Sequence, residues 1–163
     1  MSESNAAVKQ KPLIEEIAPD YVDGDVLDNL LDFVAWMRAN RMTPTFANKS
    51  KEGINYTSHV CYVKLFHGEW AIWISGKHRK HKRAFIDDFL ACEELKEVVG
   101  ANLARCCDCG HGCPPYTVTV CGTKHENVCC CCTVRFYNPN AETLKIVKRV
   151  IENRNNMKKE SAK

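Results

Sequence analysis

The sequence predicts an α+β fold: a mainly antiparallel sheet of about four strands, flanked by helices on at least one face, with a cysteine-rich loop. Three observations predict it. Amphipathic helical patterns stand near both ends of the chain, a hairpin with a checkable register lies between them, and nine of the eleven cysteines crowd between Cys106 and Cys132. With 163 residues, 45% hydrophobic and 26% charged, the chain fits one domain with room for a sizeable core.

Residues 1–20 read as a loosely ordered lead-in, polar at first and ending in Ala18-Pro19-Asp20. The domain proper is expected over 21–155, with a frayed tail at 156–163. Asp25 is placed to cap a helix from Val26 to about Asn40, because Leu27, Leu30, Leu31, Val34 and Met37 recur every three or four residues. Pro44 and Gly53 mark 41–55 as a connecting loop.

A hairpin comes next. With His67-Gly68 as a two-residue turn, Leu65 faces Trp70, Val63 faces Ile72 and Cys61 faces Ile74, gathering six apolar side chains on one face. The other face carries Val60, Tyr62, Phe66 and Trp73. It is expected to seat a helix, with a ligand groove formed by Tyr62, Phe66 and Trp73 as the alternative. Beyond the basic run 76–83, a helical pattern extends from Ala84 to about Arg105, and Cys106 continues its apolar stripe. Tyr116–Cys121 and Val128–Tyr137 alternate like strands, joined by 122–127. Asn138 is the expected cap of a last helix with Pro139 in its first turn, its apolar side formed by Leu144, Ile146, Val147, Val150 and Ile151.

With no apolar run at the N-terminus and no stretch long enough for a membrane span, the chain is expected in the cytoplasm. In a reducing compartment a cysteine cluster points to metal or redox chemistry rather than to structural disulfides. Cys106 and Cys109 form a C-x-x-C pair, a spacing that lets two thiolates meet one tetrahedral ion. Cys113 lies four residues further on, after Gly110 and Gly112, and Cys129 opens the last strand. These four are the expected zinc ligands; Cys107, Cys131, His111 and His125 are the alternatives. An iron–sulfur cluster would use the same ligand type. Cys130 and Cys132 fall on the apolar side of their strand and read as packing.

Other chemistry is thin. Arg79, Lys80 and Lys82 in the basic run could contact phosphates, but no aromatics are interleaved and the net charge is only +3, so a solvated loop is the simpler reading and nucleic acid is not expected as a partner. No nucleophile elbow, P-loop or dinucleotide glycine fingerprint is present, and no catalytic residue is assigned.

The pattern Asp32-Phe33-x-x-Trp36 with Met42-Thr43-Pro44, the Cys-x-x-Cys-x-x-x-Cys-Pro loop, and Asn127-Val128-Cys129 ahead of Phe136-x-Asn138-Pro139 resemble small uncharacterised proteins of clostridial and related Firmicutes bacteria. More distantly, the order of elements is similar to the YdhG-like domains of unknown function. The resemblance implies a compact α+β fold with an antiparallel sheet, and no activity. The resulting expectation is a small zinc-binding protein acting as a binding or regulatory module. A thiol redox or metal-handling protein is the first rival, and a small-ligand or nucleic-acid binding module the second.

Overall fold

The computed structural model describes residues 11–74, 93–106, 115–129 and 134–160. Its elements are α1 (Ile14–Ile17), a 3-10 turn (Ala18–Asp20), α2 (Gly24–Ala39), β1 (Thr45–Lys49), β2 (Ile54–Thr57), β3 (Tyr62–Phe66), β4 (Glu69–Ile74), α3 (Glu93–Ala101), β5 (Tyr116–Val120), β6 (Thr123–Val128), β7 (Val134–Tyr137) and α4 (Ala141–Glu160). The fold is α+β, but the main sheet has five antiparallel strands rather than four, in the order β1-β2-β3-β4-β7. A separate two-stranded sheet is formed by β5 and β6.

The central hairpin adopts the expected register, Leu65 opposite Trp70 and Val63 opposite Ile72. Gly68, with φ of +82°, takes the left-handed conformation that its turn position requires. Val63, Leu65, Trp70, Ile72 and Ile74 are all buried on one face. Against that face pack α2, through Leu30, Phe33, Val34 and Met37, and α4, through Leu144, Val147, Val150 and Ile151. Phe33 lies in the core while Leu27 and Leu31 sit only half-buried, so the stripe on α2 is rotated from the one expected. Lys148 of α4 meets Asp32 of α2 at 2.6 Å on the outer rim of this layer.

Several expectations need correction. Residues 41–55 are not a plain loop: β1 pairs with β2 and β2 with β3, in register Phe46–Tyr56 and Tyr56–Val63. The β1 side chains are mostly exposed, so no alternation marked the strand. Gly53 is required at its turn, because a Cβ there would stand 1.9 Å from the Leu65 carbonyl oxygen. Residues 14–20 are no loose lead-in, since Ile14 and Ala18 are buried in the core. Asp23 rather than Asp25 precedes the first turn of α2. Val60 is buried in the core, because Ser58 N–H donates to the Cys61 carbonyl across a turn and β3 alternation starts only at Tyr62. At the far end α4 runs to Glu160, through part of the expected tail.

The last helix is capped by Asn140, whose Oδ1 accepts from Thr143 N–H at 2.9 Å. Asn138, the cap expected from the sequence, has another task. With φ of +40° it brackets Trp70, accepting from Trp70 N–H on Oδ1 at 2.8 Å and donating its own N–H to the Trp70 carbonyl at 2.9 Å. The chain thereby leaves β7 pinned to β4 before it enters α4.

Candidate metal-binding junction

The helix expected to run to about Arg105 ends instead at Ala101, where Asn102 turns its side-chain amide back to the Val98 carbonyl at 2.8 Å. From there the chain continues as an extended strap, and Cys106 belongs to it rather than to a helical stripe. Leu103 pairs with Val134 and Arg105 with Val128, both antiparallel. Arg135 N–H donates to the Asn102 carbonyl at 2.9 Å. The strap 102–106 thus joins the outer edge of β7 to the end of β6, tying the two sheets together.

The small sheet has its own logic. Cys121 and Gly122 both take positive φ, +49° and +76°, forming the tight turn that a two-residue hairpin needs. The segment 122–127, expected to be a connection, is therefore mostly strand β6. Val118 lies opposite His125 but Tyr116 lies opposite Val128, so an extra residue bulges from β6. Asn127, at φ +56°, absorbs that bulge in a conformation asparagine tolerates. The hairpin rests on α3: Gly100 is so close to Val120 that a Cβ would come within 2.9 Å of its Cγ1. Leu95 and Val99 in turn fasten α3 to the main core.

At the Arg105–Val128 pair, Cys106 N–H donates to the Asn127 carbonyl at 2.6 Å and Cys129 N–H to the Ala104 carbonyl at 2.8 Å. These two bonds flank the pair, so Arg105 and Val128 form a non-hydrogen-bonded pair of an antiparallel ladder. Side chains alternate across a ladder, so Cys106 and Cys129, each the residue after a member of that pair, leave it on the same side, diagonally across the two strands. Diagonal neighbours have Cβ atoms somewhat under about 7–8 Å apart. Two sulfurs at Zn–S distances of about 2.3 Å can span that gap. Cys106 is half-buried and Cys129 is fully buried. The burial of Cys129 was not legible in the sequence, where alternation set it opposite the apolar side.

The other expected ligands divide. His125 is half-buried on β6 opposite Val118. Cys107, Cys109, His111, Cys113 and Cys131 lie outside the described residues, as do Arg79, Lys80 and Lys82. Among the described residues, no three His, Cys, Asp or Glu side chains group as a metal site. Cys121, at the hairpin tip, is exposed.

The face expected either to seat a helix or to form a groove is more cationic than the sequence implied. Tyr62, Trp73 and Arg135 form one row across β3, β4 and β7. Lys64 Nζ lies 3.4 Å from the centre of the Trp73 ring, and the Arg135 guanidinium carbon 4.1 Å from it. Each such contact is worth about 0.5–2 kcal/mol. Trp73 is thus engaged by two of the protein's own cations rather than standing as an open stacking surface. Tyr62 remains 41% exposed, and Phe66 is half-buried.

Two further histidines among the described residues have structural partners. His67 stacks on Tyr21 with ring centres 4.9 Å apart, and His59 Nε2 meets Asn155 Oδ1 at 3.0 Å. No helix among the described residues is long and apolar enough to cross a membrane. Compared with protein-family models, with curated proteins and with solved structures, the chain matches none of them.

Proposed function

We propose that this chain is a small zinc-binding protein of a reducing compartment, the cytoplasm, with a structural site held by Cys106, Cys109, Cys113 and Cys129. Cys107, Cys131, His111 and His125 stand as alternative ligands. The observation that carries this reading is the register at the Arg105–Val128 pair, which brings Cys106 and Cys129 to the same side of one ladder. Cys109 and Cys113 lie three and seven residues after Cys106, so a loop returning to that ladder could complete a tetrahedral set. A metal there cross-links the end of α3 to the β5–β6 hairpin, a linkage that stabilises through binding free energy. The protein then serves as a binding or regulatory module rather than as an enzyme. The resemblance to small clostridial proteins adds no activity to this reading.

The test is metal content by elemental analysis of protein purified without added zinc. One zinc per chain is expected, with marked loss in Cys109→Ser and Cys129→Ser and none in Cys121→Ser, whose thiol sits at the exposed hairpin tip. Equal zinc in all three variants sinks the assignment. A visible chromophore with iron and labile sulfide would replace zinc by an iron–sulfur cluster. The rival thiol-redox reading predicts metal-free protein whose cysteines alkylate fast and oxidise reversibly. The ligand-groove reading has less support, because the Trp73 ring already carries Lys64 and Arg135.

A further inference from the structure

We draw no further inference here: the strongest candidate, the aromatic patch of Tyr62, Trp73 and Tyr137 on the face of the main sheet turned away from α2 and α4, carries nothing, because no observation among the described residues shows what covers it.

Discussion

The two sheets of this protein are both antiparallel and are built on different principles. The five-stranded sheet buries Val63, Leu65, Trp70, Ile72 and Ile74 against two helices. The two-stranded sheet buries Val120 and Val128 and leaves most of its other side chains partly or fully exposed. Both have well-formed turns and paired backbones, so hydrogen bonding does not separate them. Burial does: each fully buried aliphatic or aromatic side chain contributes about 1.5–3 kcal/mol, whereas a backbone hydrogen bond nets about 0.5–1.5 kcal/mol. A cross-link therefore matters most where apolar area is least, and Cys106 and Cys129 stand at the edge of the weaker sheet.

The contrast can be broken first at its strong end. Trp70 is fully buried and its ring lies 5.8 Å from that of Phe33, so Trp70→Ala should cost about 3–5 kcal/mol in urea unfolding. A cost below about 1 kcal/mol would mean that the main sheet is not the stable half.

The same substitution made in both sheets sharpens the comparison. Val63→Ala should lower global stability by about 2–3 kcal/mol, the lost methyls plus a cavity. Val120→Ala should lower it by less than about 1 kcal/mol while speeding exchange across the hairpin, because a locally opening unit does not limit global unfolding. Equal losses in denaturant would show that the two sheets unfold as one.

Alkaline titration probes the strong sheet from another side. Tyr56 on β2 is buried, with its hydroxyl donating to the Pro12 carbonyl at 3.3 Å. Burial, with added repulsion from Glu15, Glu16 and Tyr21, pushes its phenol up to about 12. A raised folded-state value favours the neutral form in the fold. Its contribution is therefore intact below the unfolded value of about 10 and is lost as pH climbs through about 12. Tyr56→Phe should flatten that alkaline decline, and an unchanged slope would refute the assignment.

The smallest effect belongs to the Glu15–Arg38 pair that ties α1 to α2. Arg38 Nε and Nη2 donate to the two Glu15 carboxylate oxygens at 2.6 and 2.9 Å. The hydrogen bond to Arg38 holds the Glu15 carboxyl below its ordinary value. That stabilisation is present above the unfolded carboxylate pKa and disappears as pH falls through the lowered one. Both side chains are about a third exposed, so Glu15→Gln should cost under about 1 kcal/mol at neutral pH. A larger loss would make α1 part of the stable half in its own right.

The sequence by itself determined the α+β class, the hairpin register at Leu65–Trp70 and Val63–Ile72, the amphipathic α2 and α4, and the crowding of cysteines after Cys106. These rest on period, turn chemistry and composition, all of which are local. Only the tertiary structure decided that 45–57 forms two strands, that Asn138 brackets Trp70 instead of capping a helix, and that α3 yields to a strap placing Cys106 and Cys129 on one side of a ladder. Those features depend on partners distant along the chain: β1 shows little alternation of its own, and nothing near Cys106 in sequence signals that Asn127 will accept its N–H. Pairing across a sheet is chosen by what lies opposite, and that is settled only once the chain has folded back on itself.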